Sequence, residues 1–212
     1  YQQLASCKTL AEVDEFHSRV EDVYGLDASQ VAIVANGIDL EAYEPKRDYS
    51  FSVPARICHI GRFEEQKNHA ALVDAAAQLK ADGFDVVFDL YGVGSLMEEI
   101  KGAVAKKGLE GEFAFHGLTD NVPDALGKAD LFVFPSVYEG MPMVLAEAMA
   151  AGLPIVATAV GGVSDMLEGG ESALLCEADA ASVASAVERL LSEESLRKSL
   201  GMAARERAAD FS

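Results

Sequence analysis

The residues of this chain best suited to chemistry fall into two charged pairs, one basic and one acidic, each beside the start of a helical stretch. Arg62 and Lys67 lie in Gly61-Arg62-Phe63-Glu64-Glu65-Gln66-Lys67-Asn68, between an apolar run and a segment of helical period. Cations beside a helix N-terminus oppose the positive end of its macrodipole. Their placement makes physical sense if an anion occupies the loop, held by both side chains and by free backbone N–H groups. The competing reading leaves both exposed and paired with Glu64 or Glu65. Glu139 and Glu147 belong to Pro135-Ser136-Val137-Tyr138-Glu139-Gly140-Met141-Pro142-Met143-Val144-Leu145-Ala146-Glu147. Pro142 is suited to open a helix, and Glu147 then lies about one turn into an otherwise apolar, largely buried helix. A carboxylate there is costly unless it binds something. Two acids flanking a helix start suit hydroxyl groups at two points along one ligand. The alternative for Glu147 is a buried structural hydrogen bond.

Glycines mark further loops of the same kind. Tyr91-Gly92-Val93-Gly94-Ser95 places a G-x-G between a strand and a helix, but Met97 stands where a dinucleotide fingerprint has its third glycine. Gly92 and Gly94 permit close backbone approach, to a ligand by preference or else to the neighbouring loop. His116-Gly117-Leu118 and Val160-Gly161-Gly162 end two more strands. His116 lies near the ligand crevice or serves structure alone. His59 reads as packed within a strand, and His17 and His69 as solvated helix residues. No histidine has the spacing of a metal ligand set, and no D-x-D signature occurs.

These loops need a scaffold that gathers them, and the punctuation from about residue 54 supplies one. Short β-rich runs (Arg56–Ile60, Val86–Tyr91, Glu112–His116, Leu131–Phe134, Ile155–Ala157, Ala173–Leu175) alternate with helical segments. Those segments are Asn68–Ala81, Ser95–Lys107, Asn121–Lys128, Met143–Ala151, Val163–Leu167, Ala180–Leu191 and Glu194–Ala209. The pattern predicts an α/β fold with a doubly wound, mostly parallel six-stranded sheet, Rossmann-like, whose ligands bind at the carboxyl ends of the strands. Earlier in the chain, Leu10–Tyr24 reads as an amphipathic helix and Val31–Val34 as a strand before the Asn36-Gly37 turn. A helix and a strand make no core alone.

The chain has 212 residues, with 17 basic against 35 acidic ones and a net charge of -18. An acidic surface repels nucleic acid and anionic membranes, so neither is an expected direct partner. A small anionic ligand needs only a local cationic pocket. Cys7, Cys58 and Cys176 are dispersed and read as small buried hydrophobes in a reducing compartment. No apolar run approaches the length of a membrane span. Glycine-bearing loops, a cation pair and two acids at one sheet edge describe a site for a phosphate-linked polyol.

The same residues resemble the donor-binding half of retaining glycosyltransferases of group 1 (family 4), which have two Rossmann-like domains in the B-type fold. The likeness rests on Asn36-Gly37-Ile38-Asp39, Gly61-Arg62 with Lys67-Asn68, Glu139-Gly140 with Glu147-Ala148, and Gly161-Gly162. It covers roughly residues 20–212. The wording around GRFEEQKNH and YEGMP is most similar to members that build capsular or exopolysaccharide chains. The resemblance implies that Arg62 and Lys67 hold the donor diphosphate and stabilise the leaving group without a metal or other cofactor. Glu139 would contact the transferred sugar, with backbone groups around Gly140, Met141 and Met143. Glu147 would take the ribose hydroxyls, the backbone at Gly117 and Leu118 would face the base, and Gly61, Gly92 and Gly94 would approach the donor. A UDP-sugar is favoured over a GDP-sugar on the same ground.

It further implies that residues 1–44 are the tail of a missing N-terminal acceptor-binding domain plus a linker, and 45–212 the nucleotide-sugar domain. The isolated chain would then bind donor but hardly turn over. The expected location is cytoplasmic, at the inner face of the membrane, with any peripheral membrane association made by the missing domain. Two other classes compete. A non-catalytic binding or interaction module would keep the scaffold without the reaction, and a nicotinamide-dependent oxidoreductase is disfavoured by Met97.

Overall fold

A computed structural model describes Gly25, residues 37–51 and residues 53–212. The expected helix Leu10–Tyr24 and strand Val31–Val34 lie outside the described residues. The remainder is a single six-stranded parallel sheet in the order β3-β2-β1-β4-β5-β6. Its strands are β1 (Ala55–Ile60), β2 (Val86–Tyr91), β3 (Phe113–Gly117), β4 (Leu131–Phe134), β5 (Ile155–Thr158) and β6 (Leu174–Cys176). The helices are α1 (His69–Ala81), α2 (Met97–Lys106), α3 (Val122–Gly127), α4 (Met143–Ala150), α5 (Gly162–Met166), α6 (Ala180–Ser192) and α7 (Glu194–Arg207).

Parallel strands need crossover connections, and helices supply them on both faces, so the central strands β4 and β5 are buried along their whole length. Successive side chains still alternate between two cores. Ile57, Phe88, Leu90, Leu131 and Val133 join Leu72, Leu79 and Ile100 with Val183 and Val187 on the face covered by α1, α2 and α6. Cys58, Phe132, Phe134 and Ile155 join Leu145, Met149 and Phe211 on the face covered by α4 and the C-terminal segment. The helix boundaries have local causes. Asn121 caps α3 by accepting the Asp124 amide at 3.1 Å, and Asp179 caps α6 by accepting that of Ser182 at 2.9 Å.

β1 and β4 are neighbours, but the chain leaves β1 toward β2 and returns from β3 across the sheet to β4. Their following loops therefore diverge to opposite sides and leave a crevice, the usual ligand site of such sheets.

A strap of residues 37–51 starts on the second face, at Ile38, Leu40 and Tyr43, and ends at Phe51 against the first. Its start is tied to the C-terminus by Ile38 N–H to Phe211 C=O at 2.7 Å, and its middle to the end of α4 by Lys46 N–H to Ala151 C=O at 2.9 Å. Arg197, buried in α7, donates to the carbonyls of Tyr49, Leu190 and Leu191, so one guanidinium closes the corner between strap, α6 and α7. Gly201 in α7 accommodates the same strap. A Cβ there would lie 2.3 Å from Tyr49 Cε1 and 2.6 Å from the Gly152 carbonyl. Gly201→Ala is expected to lower stability by about 1–3 kcal/mol through overpacking, seen as a fall of several degrees in the thermal unfolding midpoint. An unchanged midpoint would mean that the strap does not pack on α7.

Candidate functional site

The loop after β1 and the loop after β4 meet at the crevice through an ion pair. Lys67 Nζ lies 2.6 Å from Glu139 Oε1, with the two side chains only 14% and 8% exposed. Lys67 also stands over the Phe134 ring, 4.7 Å from its centroid, which adds a cation–π attraction. The loop reaches this position in steps. Phe63 is fully buried and anchors it. A 3-10 turn over Glu65–Lys67 follows, and Asn68 then takes a left-handed conformation (φ 53°) before α1 begins. That conformation aims the Asn68 side chain across the crevice, where its amide donates to Pro135 C=O at 3.1 Å and Ala178 C=O at 3.0 Å.

Main-chain bonds join the two loops as well. Val137 N–H donates to Gln66 C=O at 2.9 Å, and Gln66 Nε2 donates to Tyr138 C=O at 2.9 Å. Glu139 C=O accepts the Gly162 amide at 3.4 Å, so the loop before α5 joins the same rim. Glu64, offered by sequence as a partner for the cations, instead takes the Ser95 amide and hydroxyl at 3.1 and 2.8 Å. Those bonds hold its carboxyl below the usual range. Arg62 is exposed on the same loop and makes no ion pair with Glu64 or Glu65.

Glu147 lies on the same side of α4 as Met143 and Val144, all half-buried, while Leu145, Ala146, Ala148 and Met149 are buried. Its Oε1 accepts a hydrogen bond of 2.9 Å from Tyr43, on the strap. Gly140 is exposed, and Met141 and Met143 are half-buried around the start of α4. Gly117 ends β3 with φ 70°, and Leu118 beyond it is exposed.

Gly92 and Gly94 approach the neighbouring loop. A Cβ on Gly92 would lie 2.0 Å from the Gly61 carbonyl oxygen, and one on Gly94 would lie 2.4 Å from that of Phe63. The G-x-G is therefore needed to stack one loop on the other, held by Phe63 N–H to Val93 C=O at 3.1 Å and Leu96 N–H to Phe63 C=O at 2.9 Å. Gly61 is crowded by His59 Nε2 and the Lys67 stem.

The family model for glycosyl transferases group 1 matches residues 54–193. The chain belongs to that family. Among curated members, it is 32% identical over 200 residues to the N-acetyl-α-D-glucosaminyl L-malate synthase of Bacillus anthracis, covering 90% of this chain and 52% of that protein. It is 30% identical over 175 residues to the amylovoran biosynthesis glycosyltransferase AmsK of Erwinia amylovora, covering 78% and 43%. The chain thus spans about half the length of the curated relatives it matches. Staphylococcus aureus TarM, solved with UDP, superposes with a TM-score of 0.80 over 97% of this chain and 40% of that one at 23% identity. Anabaena HepE, solved with UDP and glucose, gives 0.78 over 97% and 58% at 21% identity. These two likenesses support the B-type fold.

For this group 1 chain the crevice brings together Gly61, Lys67, Glu139 and the start of α4, with Arg62 exposed on the same rim. Among the described residues no cluster of three or more His, Cys, Asp or Glu side chains is placed to hold a metal ion. No described helix is long and apolar enough to cross a membrane.

Histidines divide differently from expectation. His69 is buried, only 2% exposed, because the first turn of α1 turns it inward onto Phe63, with ring centroids 4.0 Å apart. Sequence places it on a solvated helix face, and nothing local in His69-Ala70-Ala71 signals otherwise. It meets His59 edge to face at 4.8 Å. His59 Nδ1 lies 3.0 Å from Val133 C=O, which makes that nitrogen the protonated one, while His59 Nε2 and both His69 nitrogens have no partner. His116 lies at the sheet edge, its Nε2 2.6 Å from Asp89 Oδ1, an oxygen that Arg56 also contacts at 2.6 Å. Its ring stacks on Tyr91 at 4.4 Å.

Burial, and secondarily the Lys67 charge, lower the His69 imidazole to about 4, and burial also holds His59 well below its ordinary range. In the unfolded chain the same groups take up protons near pH 6.5. Stability from a neutral buried His69 is thus complete above about pH 6.5 and lost as pH falls toward 4, on the order of 3 kcal/mol in all. Urea unfolding at pH 7 and pH 4.5 should show a smaller acid loss for His69→Phe than for the wild type. Parallel losses would mean that His69 is not buried neutral.

Proposed function

We propose that this chain forms the nucleotide-sugar donor site of a retaining glycosyltransferase. The observation that carries the reading is the Lys67–Glu139 pair at the β1/β4 crevice. A nucleoside diphosphate sugar has an anionic centre between two hydroxyl-rich rings, and the crevice has a cation beside the Glu139 carboxylate, with a second carboxylate, Glu147, further along α4. Lys67 would pass from Glu139 to the diphosphate, joined by Arg62. The charge gathering on the leaving nucleoside diphosphate would be balanced by these two side chains without a metal ion.

Glu139, released from Lys67, would accept hydrogen bonds from hydroxyls of the transferred sugar, with backbone groups at Gly140, Met141 and Met143 beside it. Glu147 would accept from the ribose hydroxyls, and the backbone at Gly117 and Leu118 would face the base. Gly92 and Gly94 would act by setting the Gly61–Phe63 loop at the height the diphosphate requires. Retention would follow from departure of the leaving group and attack by the acceptor on the same face.

The acceptor would be a glycan or lipid-linked sugar in capsular or exopolysaccharide synthesis, a reading supported by the amylovoran relative. UDP is the favoured nucleotide because TarM and HepE were solved with it. Residues 1–44 would connect to an acceptor-binding domain at the cytoplasmic side of the membrane, through which any membrane contact would be made. Val93, Leu118, Val137 and Tyr138 leave an apolar rim on the loops around the crevice, which suits closure by that domain.

Calorimetric titration with UDP, GDP and ADP tests the site. Selective binding of UDP is expected, weakened about 10- to 100-fold by Lys67→Ala through loss of a charged hydrogen bond. Equal affinity for wild type and variant, or no discrimination among the nucleotides, would contradict it.

A further inference from the structure

We propose that Tyr43 is a positioning residue for the donor site, holding the Glu147 carboxylate in the orientation in which it meets the ligand; this rests on the reading of Glu147 as the ribose acceptor. The two residues are 104 positions apart, and the phenol donates to Glu147 Oε1 at 2.9 Å, leaving Oε2 for ligand hydroxyls. Each end of the bond is fixed independently. Glu147 stands on α4, whose Leu145, Ala146, Ala148 and Met149 are buried. Tyr43 is itself 8% exposed and follows a 3-10 turn over Leu40–Ala42 that Asp39 caps through the Glu41 amide at 3.0 Å.

Arg205 on α7 binds that turn to the end of α4. Its guanidinium donates to the carbonyls of Leu40 and Tyr43 at 3.4 and 3.5 Å and to that of Ala150. Ile38 N–H to Phe211 C=O secures the strap on its other side. A glutamate on a helix surface samples several rotamers. A hydroxyl held by two packed elements selects one of them before ligand arrives, which removes an ordering cost from binding. Burial and the neighbouring Glu147 raise the phenol's pKa well above its ordinary range, so the hydroxyl keeps its proton at neutral pH.

Tyr43→Phe removes the hydroxyl and keeps the packed ring. UDP, 2′,3′-dideoxyuridine diphosphate and inorganic pyrophosphate are titrated into the chain and into Tyr43→Phe, Glu147→Gln and the double variant. Tyr43→Phe should weaken UDP about tenfold, leave the dideoxy nucleotide and pyrophosphate unchanged, and add nothing to Glu147→Gln. Unchanged UDP affinity in Tyr43→Phe alongside a loss in Glu147→Gln overturns the positioning role and leaves the ribose assignment standing. Equal loss of UDP and pyrophosphate in Tyr43→Phe assigns the hydroxyl to general stability and also overturns it. A Glu147→Gln chain that binds UDP as the wild type does, or a wild type that binds none, removes the ribose assignment and the inference with it.

Discussion

Lys67 and Glu139 are 72 residues apart and meet at 2.6 Å, and this pair sets the geometry of everything around the crevice. Each charge is largely out of water, a state that is costly alone and tolerable only with the partner in place. The pair therefore holds the two loops against each other. Asn68, Gln66 and Val137 then complete the junction with hydrogen bonds between the same two loops and onward to Ala178. The sheet order makes the meeting possible, since β1 and β4 are adjacent while their loops lead away from each other.

That arrangement gives the proposed reaction a simple electrostatic logic. Removing Lys67 from Glu139 is unfavourable unless a second anion takes its place. A diphosphate would be such an anion, and the carboxylate it would free is the one proposed to meet the sugar that the diphosphate carries. In the proposed site, binding of the leaving group and readiness of the sugar-side carboxylate would thus be coupled through one ammonium group. The neutral histidine pair beneath the loop keeps the floor from adding a third charge: His59 and His69 both resist protonation, chiefly through burial.

Much of this was legible in the sequence. Short β-rich apolar runs locate all six strands to within one residue, most clearly β4 and β5, which are buried along their whole length and leave a contiguous signal. Lys67 and Glu147 stood out for a related reason, since a cation beside a helix start and a carboxylate within an apolar helix are costly unless a partner offsets them. What escaped were contacts made by side chains far apart along the chain. His69 reads as a helix-surface residue until Phe63 is seen against it. Gly92 and Gly94 read as admitting a ligand in preference to the neighbouring loop, and it is the loop, at Gly61 and Phe63, that takes the room. Tyr43 carries no local mark of its bond to Glu147, because the strap that delivers it is shaped by Arg205 and Phe211 at the other end of the chain.

The central claim, that the Lys67–Glu139 pair opens to receive a nucleoside diphosphate, is tested most directly by a crystal structure of the chain with UDP. The diphosphate is expected between Arg62 and Lys67, with the Lys67–Glu139 contact broken and the ribose hydroxyls on Glu147. UDP bound elsewhere, or bound in the crevice with Lys67 still on Glu139, would contradict it.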